Sequence, residues 1–444
     1  MSYLRQCRYC APGQERLVPR NIVQRTGTNI RRYRVAAMSG PLDGIRVLDL
    51  SRVLAGPWCA QLLADLGAEV IKVERPGAGD DTRHWGPPWL KDRDGRDTSE
   101  SAYFLSANRG KQSITVDISN SEGQHLIRDL AVESDVFIEN FKVGGLAAKG
   151  LAADDLLALN PRLIYLSITG FGQNGPLAAQ PGYDYLIQAM GGLMSITGVE
   201  DGAPGAGPQR VGVAISDLTT GLYGAAGILS ALYHREQSGR GQHIDLALLD
   251  TQVGWLANQA MNYFVSGKVP VRTGAQHPNL APYQPFVASD QPIIIAVGND
   301  GQFQQLCRCI ERPEFIEDER FLTNPLRVQN RAALEQALQA EICKHPAAYW
   351  LEILPARGVP CCRINTIQQA FDEPQIQHRQ MHIKLDHPLS GEVDAVANPL
   401  NLSATPIRYD KAPPQLGQDT DAVLRGVLGY SDDMIRELRE RSVV

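Results

Sequence analysis

The chain has 444 residues, of which 43% are hydrophobic and 21% charged, and its formal net charge at pH 7 is −6. This composition predicts two or three globular domains and argues against nucleic-acid and membrane partners, since there is neither a basic excess nor an apolar run of ~18 residues. The eight cysteines are scattered singly or in adjacent pairs, which favours a reducing compartment over a disulfide framework. Cys7 and Cys10 have a metal-like spacing without a second pair, so we expect no metal site.

Residues 1–37 differ from the rest of the chain, with eight arginines and a single acid, Glu15. A leader rich in arginine and poor in acids is typical of a mitochondrial presequence, which would place the protein in the matrix. A second interpretation makes Met38 the natural start, because a strand follows it closely. We favour the second and expect a cytoplasmic protein. Under either interpretation we predict disorder over 1–37 and exclude that extension from the fold.

From Ile45 onward the pattern predicts an α/β fold with a Rossmann-like, doubly wound parallel sheet. Ile45–Leu50 is apolar enough for a buried parallel strand, a helix follows over Trp58–Leu66, and Glu69–Val73 is the next strand. Together they form a βαβ unit. Later elements are predicted as strands at Ser113–Val116, Val136–Glu139 and Leu163–Ile168, and as helices at Glu122–Glu133 and Ala153–Leu159.

A second, smaller α/β domain is predicted after a proline-bearing linker near residues 265–290. Its elements are a strand at Pro292–Val297 and helices at Gly301–Ile310, Arg331–Lys344 and Ala347–Ala356. The domains are thus a large domain over 38–262, a small domain over 263–365 and a return segment over 366–444 that completes the large domain. We expect the return segment to be extended, with a helix at Thr420–Leu428 and a charged tail.

One carboxylate, Asp217, ends the run Val211–Ser216, which we predict to be a strand. Helices are predicted to follow over Thr219–Glu236 and Asp250–Phe264. A carboxylate at a strand-to-helix junction can act as a nucleophile, because the helix N-terminus favours the anion and supplies N–H groups for an oxyanion. Aspartate is also among the best N-caps, so on this segment alone a capping role is the better interpretation.

The loop after the first strand, Ser51–Pro57, lacks a G-x-G-x-x-G pattern, and Pro57 removes an N–H near the helix start. A cradle for a nicotinamide dinucleotide is therefore missing. The cations that collect near strand ends are Lys72, Arg75, Arg83, Arg109 and Lys111. In doubly wound sheets the carboxyl ends of strands face the ligand, so such cations suit a phosphorylated ligand, although each alone is better explained as a surface charge.

Several segments, taken together, resemble the class III coenzyme A transferases, the CaiB/BaiF family of formyl-CoA transferase and its relatives. They are Pro41–Leu50, Gly67–Gly77, Asn140–Phe141, Gly182–Tyr185, Gly191–Gly198, Ser216–Asp217 and Gly239–Gln242. The resemblance runs in order through residues 40–444. It implies a Rossmann-like large domain, a smaller α/β domain, and two chains interlocked in a homodimer. It also implies coenzyme A, bound as an acyl-CoA substrate, with neither a metal nor a nicotinamide cofactor.

The family's catalytic aspartate falls on Asp217, which changes our interpretation of that residue from helix cap to nucleophile. The resemblance implies that Asp217 forms a mixed anhydride and then an aspartyl-CoA thioester. It places Arg75 at the adenine of coenzyme A and Asn140 in the same site. The further candidates for binding coenzyme A are Lys72, Arg109, Arg52 and Tyr183. The first loop departs from the family, since Arg52 and Leu54 stand where formyl-CoA transferase has histidine and glutamine.

Segments such as Arg75–Arg83 and Pro282–Phe286 resemble the family members that act on dicarboxylic acids. We therefore expect transfer from succinyl-CoA to a C5 dicarboxylate such as glutarate. Three cations that can meet the distal carboxylate are Arg52, Arg272 and His277.

Two alternatives remain, an acyl-CoA racemase of the same fold and a non-catalytic acyl-CoA-binding protein. An acyl-CoA racemase needs a pair of bases, and Tyr183 stands where the racemases have a histidine, although a tyrosine with an ordinary pKa of ~10 is a poor base at neutral pH. A non-catalytic acyl-CoA-binding protein is the other alternative, and Asp217 argues against it because binding alone does not require that carboxylate.

Overall fold

A computed structural model describes residues 40–444 of the chain. The predictions for the extension over 1–37, including its disorder, fall outside the described residues. Within residues 40–444, no helix is both long enough and apolar enough to cross a membrane.

The main sheet has six parallel strands in the order β5-β2-β1-β6-β7-β8. In chain order the described strands are β1 (Arg46–Asp49), β2 (Glu69–Glu74), β3 (Trp89–Lys91), β4 (Asp97–Ser101), β5 (Lys111–Thr115), β6 (Val136–Glu139), β7 (Ile164–Thr169), β8 (Gln242–Ala247), β9 (Tyr283–Val287), β10 (Pro292–Ala296), β11 (Cys361–Arg363), β12 (His382–His387) and β13 (Gly391–Val396). Counted within the sheet, this is the 3-2-1-4-5-6 order of doubly wound dinucleotide-binding folds. The predicted Rossmann-like sheet is confirmed.

Helices connect these strands and pack on both faces of the sheet. The described α-helices are α1 (Ala55–Asp65), α2 (Ala102–Ser106), α3 (Ser121–Val132), α4 (Ala153–Leu159), α5 (Asp184–Met190), α6 (Leu193–Ile196), α7 (Ile215–Ser238), α8 (Leu248–Gly254), α9 (Ala257–Ser266), α10 (Asp300–Cys309), α11 (Asn324–Gln329), α12 (Arg331–Ile342), α13 (Ala347–Ala356), α14 (Ile367–Asp372), α15 (Pro374–His378), α16 (Thr420–Leu428) and α17 (Asp432–Glu440).

Alternate residues of the sheet enter different hydrophobic cores. Leu48 and Phe137 pack with α3, α4, α16 and α17 on one face, whereas Val47 and Val136 pack with α1 and α7 on the other. This alternation explains why the strands read as continuous apolar runs, because parallel strands covered on both faces have no polar side.

The residues of 281–361 build a separate core around the antiparallel sheet β11-β10-β9. Phe303 and Leu306 of α10 pack in this core with Trp350 of α13. The sequence predicted one strand here, at Pro292–Val297. The structure confirms it as β10 and pairs it with two strands that were not predicted, β9 and β11. The exact domain boundaries remain a prediction.

The structure corrects three predicted elements. The predicted helix Asp250–Phe264 is two helices, α8 and α9, because Ala257, the first residue of α9, adopts a φ of 43° that breaks the helical path. The charged tail forms α17, whose Ile435 and Leu438 are buried against the first core. The return segment is not merely extended, since β12 and β13 pair in it as an antiparallel hairpin.

Candidate active site

The loop that follows β1 meets the residue after β6 where the strand order reverses. Asn140 holds this loop with both polar atoms of its amide: Oδ1 accepts the Arg52 N–H at 2.9 Å, and Nδ2 donates to the Arg52 carbonyl at 2.7 Å. Ligands of doubly wound sheets bind in the crevice at such a reversal. The fold thus brings two predicted site residues together although they lie 88 positions apart.

The same loop holds a strained residue, Val53, at a φ of 70°. This is a left-handed conformation that a β-branched side chain rarely adopts. The Val53 N–H donates to Asp80 Oδ1 at 3.3 Å, and Asp80 in turn accepts from the fully buried Lys72 ammonium at 2.8 Å. Bonds to Asn140 and Asp80 therefore impose the conformation, and strain of this kind is concentrated at functional sites.

Asp217 lies in the first turn of α7, and no strand precedes it. The helix begins at Ile215, so the predicted strand Val211–Ser216 is wrong. The reason is a distant cap: Asp184 Oδ1 accepts the N–H of Ser216 at 2.8 Å and that of Asp217 at 3.3 Å. The capping role that the local sequence offered to Asp217 is therefore performed by Asp184.

The Asp217 carboxylate is left without a cation or hydrogen-bond donor from the described residues. Burial, and then the neighbouring Asp184 carboxylate, raise the pKa of Asp217 to about 7. The sequence had indicated that the helix N-terminus favours the anion, but Asp184 already occupies that N-terminus. Asp217 is thus a carboxyl group that exchanges its proton near neutral pH.

Asp217 lines a cleft of about 210 Å³ at the reversal point. The cleft brings together four of the predicted site residues, and its polar lining includes Arg52, Asn140, Lys142, Tyr183 and Asp184. Phe141 supplies an apolar part of the wall.

A larger pocket of about 370 Å³ adjoins this cleft at Arg52 and Phe141, which line both. Its apolar wall comes from strand ends and from the turn after β5, namely Leu50, Val73, Val116 and Ile118. The cations Arg75 and Lys149 line it as well. We call these two neighbouring cavities the groove: an apolar pocket beside cations lies at one end and the Asp217 carboxylate at the other.

The comparison with known proteins identifies the family. A family model described as CoA-transferase family III matches residues 42–420. The chain belongs to CoA-transferase family III. It is 47% identical over 384 residues to the succinate–glutarate CoA-transferase of Agrobacterium fabrum, with 86% of this chain and 95% of that protein covered. It is 43% identical over 398 residues to the succinyl-CoA:glutarate CoA-transferase of Mus musculus, with 90% and 89% covered.

Among solved structures, a CaiB/BaiF family protein from Brucella suis has 48% sequence identity and a TM-score of 0.77. The match covers 88% of this chain and 100% of that chain. The resemblance seen in the sequence motifs is therefore confirmed, and the protein is a CoA-transferase that acts on coenzyme A esters.

The cations predicted to bind coenzyme A fall into two groups in this CoA-transferase. Arg75 is exposed and Arg52 is half-exposed, and both line the groove. Lys72 and Arg109 are instead neutralised within the protein. Lys72 lines the larger pocket, yet its ammonium bonds to Asp80 and to the Ser51 carbonyl and is 0% exposed. The prediction that its charge faces a phosphorylated ligand does not fit this geometry, because a strand-end cation can equally serve as a buried counter-ion.

Arg109 is engaged in the same way but farther from the groove. Its guanidinium bonds to Asp65 at 2.6 Å and to the Val396 carbonyl at 2.9 Å, and it lines neither cavity. Arg272 pairs with Asp201, and His277 packs against Tyr283. Neither residue lines either cavity, and burial lowers the pKa of His277, so its imidazole is not the predicted cation at neutral pH.

One cation that lines the Asp217 cleft was not predicted from the sequence. Lys142 is exposed and lines the cleft two residues after Asn140. The signal that could have found it is its place in the loop after β6, three residues beyond Glu139, because loops at the carboxyl ends of parallel strands face the crevice. Within residues 40–444 no group of three or more metal-ligating side chains is arranged around a point. The expected lack of a metal and of a nicotinamide cofactor stays a prediction.

Proposed function

We propose that this CoA-transferase moves coenzyme A from succinyl-CoA to glutarate, with Asp217 as the covalent nucleophile. The observation that carries the proposal is the groove that joins an apolar pocket beside Arg75 to an unpaired carboxyl group with a pKa of about 7. Two similar relatives are named as succinate–glutarate and succinyl-CoA:glutarate transferases, which supports the substrate pair.

The groove suits coenzyme A in one orientation, with the adenine in the larger pocket and the thioester at Asp217. The adenine fits the apolar wall of the larger pocket, where the Arg75 guanidinium can stack on it and Lys149 can meet a phosphate. The pantetheine arm then passes Phe141, which lines both cavities, and delivers the thioester to Asp217. Asn140 acts through the backbone of Arg52, since its amide holds that residue in place.

The first half of the reaction loads coenzyme A onto the enzyme. A carboxylate oxygen of Asp217 attacks the thioester carbonyl of succinyl-CoA, and the carbon–sulfur bond breaks to release the thiolate and leave an aspartyl–succinyl anhydride. The thiolate then attacks the aspartyl carbonyl. Succinate leaves with the bridging oxygen, and Asp217 becomes an aspartyl-CoA thioester.

The second half repeats these steps in reverse with the acceptor acid. A glutarate carboxylate attacks the aspartyl thioester and displaces the thiolate, which gives an aspartyl–glutaryl anhydride. The thiolate attacks the glutaryl carbonyl, so glutaryl-CoA forms and the Asp217 carboxylate is regenerated. A carboxylate whose pKa is raised, here by burial and then by the nearby Asp184 charge, is a stronger nucleophile than an ordinary aspartate.

Trapping tests this proposal directly. Protein incubated with succinyl-CoA and then treated with hydroxylamine or borohydride should carry its label on Asp217, as read by peptide mass spectrometry. Glutaryl-CoA should form from succinyl-CoA and glutarate faster than any ester formed from formate or carnitine. A label on another residue would remove Asp217 from the mechanism, and faster turnover of formate or carnitine would remove the dicarboxylate assignment.

We also propose that two chains form an interlocked homodimer, in line with the family resemblance. Large apolar side chains remain exposed on α7, α8 and α9, among them Tyr223, Tyr233, Trp255 and Phe264. A second copy of the chain is the partner that would cover them. Sedimentation at low protein concentration should show no monomer, and a stable folded monomer would contradict the claim.

We further propose that the protein is cytoplasmic. A fluorescent protein fused behind residues 1–37 should then stay outside mitochondria in a eukaryotic cell. Import into the matrix would favour the presequence interpretation instead.

A further inference from the structure

We propose that Lys142 selects the acceptor acid, by pairing its ammonium with the distal carboxylate of a dicarboxylate whose other carboxylate reacts at Asp217. The inference deepens the proposed function and depends on it. The acyl-transfer steps described above do not require Lys142, so its proposed role is to select the substrate.

The charge balance of the Asp217 cleft is the first argument. The carboxylates of Asp81, Asp184 and Asp217 line it, together with the cations Arg52 and Lys142. A dicarboxylate that enters such a cleft adds negative charge, so its second carboxylate needs a cation to offset the repulsion and the loss of water.

Arg52 is already engaged. Its Nη1 lies 3.0 Å from Asp81 Oδ2, and its guanidinium carbon lies 5.5 Å from the centre of the Phe141 ring. An acid that recruited Arg52 would first have to break the contact with Asp81. Arg52 also stands at the junction of the two cavities, where the pantetheine arm of the proposed complex passes.

Lys142 has no such competitor, because it forms no ion pair with any residue from 40 to 444. Its backbone is nevertheless fixed. The preceding N–H, that of Phe141, donates to Glu139 Oε2 at 2.8 Å, and the Lys142 carbonyl accepts from Gly145 at 2.8 Å. A long flexible stem on a fixed backbone is the arrangement that lets one ammonium meet carboxylates at different distances.

The surroundings of Lys142 leave room for this movement. It also lines a neighbouring cavity of about 270 Å³ on the side of Ser167 and His243. Lys142 therefore stands in the wall between two cavities, and one of them contains Asp217. A charge-assisted contact is typically equivalent to a preference of about 10- to 100-fold.

A competition assay tests the inference. Glutarate and pentanoate, acids of equal chain length, compete for one pool of succinyl-CoA, and mass spectrometry measures the ratio of glutaryl-CoA to pentanoyl-CoA. Because both acids attack the same loaded enzyme, this ratio does not depend on the donor. Lys142→Met, which keeps the stem and removes the charge, should lower the ratio about 10- to 100-fold. Lys268→Met, at an exposed lysine that lines neither cavity, is the matched control and should leave the ratio unchanged.

A charge reversal gives a positive signal that a misfolded variant cannot produce. Lys142→Glu should gain transfer to 5-aminovalerate, whose distal ammonium replaces the distal carboxylate, while it loses transfer to glutarate. An unaltered product ratio in Lys142→Met, or a raised KM for every acyl-CoA with the ratio intact, would overturn the inference. Failure of the wild-type protein to make glutaryl-CoA would instead overturn the proposed function.

Discussion

Four carboxyl groups near the same end of the main sheet differ in their neighbours and hence in their pKa values. Burial alone would raise the pKa of each. The Lys72 ammonium overcomes this effect and lowers the pKa of Asp80 to about 2, and hydrogen bonds from Arg83 lower that of Glu74. Among residues 40–444 no cation stands beside the other two, so burial and then Asp184 raise the pKa of Asp217 to about 7, and burial raises that of Glu139.

The comparison distinguishes carboxylates that stabilise the fold, Asp80 and Glu74, from Asp217, which can act as a nucleophile. Asp80 and Glu74, whose pKa values buried cations lower, stay ionised at neutral pH and hold the loop beneath the groove. Asp217 lacks a cation from the described residues and has a pKa of about 7, so it can gain and lose its proton near neutrality, as a nucleophile that is repeatedly acylated requires. Glu139 differs from it because its carboxylate accepts the Phe141 N–H at 2.8 Å. Glu100 marks the boundary between the two sets, since it shares Arg83 with Glu74 and burial raises its pKa.

The largest expected effect belongs to Asp217. Asp217→Asn should fold and bind coenzyme A, because shape and most polar contacts are kept, but it should lose at least about 10⁴-fold in transfer rate, since an amide cannot form the anhydride. Steady-state turnover and calorimetric CoA titration measure the two properties. Asp386→Asn, an exposed aspartate of β12, is the matched control. Substantial activity in Asp217→Asn would return the residue to a structural role.

Removing the cation from a paired carboxylate should instead lower the free energy of unfolding. Lys72→Met leaves Asp80 buried without its cation, which should lower the free energy of unfolding by about 3–5 kcal/mol. Urea denaturation measures the loss. The double variant Lys72→Met/Asp80→Leu should recover a large part of it, because the stranded charge is gone. A loss below about 1 kcal/mol would mean that water reaches this pair freely.

The pH dependence of transfer should report the unpaired carboxyl group. Only the ionised Asp217 attacks, so kcat/KM should fall about tenfold per pH unit below a pKa of about 7 and level off above it. Asp184→Asn removes a negative neighbour while it keeps an acceptor for the helix cap, so it should move the midpoint to lower pH. A midpoint that stays in place would show that burial alone sets the pKa.

The smallest effect is a gain in stability. The folded-state pKa of Asp217 is raised, so its favourable contribution is complete below the unfolded-state value of ~3.9 and is lost as the pH rises through about 7. Asp217→Asn should therefore melt roughly 2–4 °C above the wild type at pH 8 and near it at pH 4.5. Asp80 titrates below ~4 and does not contribute between these pH values. An equal shift at both pH values would contradict the assignment.

The sequence predicted the main sheet well because its strands are apolar on both faces. Runs such as Val136–Glu139 and Ile164–Thr169 are buried throughout, and their pattern is visible without neighbours. β8 was missed because half of its side chains are exposed at the sheet edge and only Ala247 is buried. The amphipathic α17 was taken for a charged tail, since its two buried residues, Ile435 and Leu438, are outnumbered by charges.

The candidate site was predictable in its residues but not in their roles. Family motifs pointed to Asp217, Asn140 and Arg75, which do line one groove. The cap from Asp184 and the burial of Lys72 depend on contacts between distant segments, and local patterns do not carry that information. Those contacts decide which strand-end charge is free to meet a ligand.

The packing of the C-terminal helices has a consequence for synthesis. Val423, Leu424 and Val443 complete the core on one face of the main sheet, and the Asp117 N–H donates to the Val443 carbonyl at 2.8 Å. The last strand of that sheet, β8, ends at Ala247, so the ribosome must add roughly 200 further residues before this face can close. At ~5–20 residues per second, a nascent chain exposes Leu126 and Leu130 for roughly 10–40 s. During that interval the face of the sheet opposite α7 lacks the side chains of α16 and α17 that cover it in the folded protein.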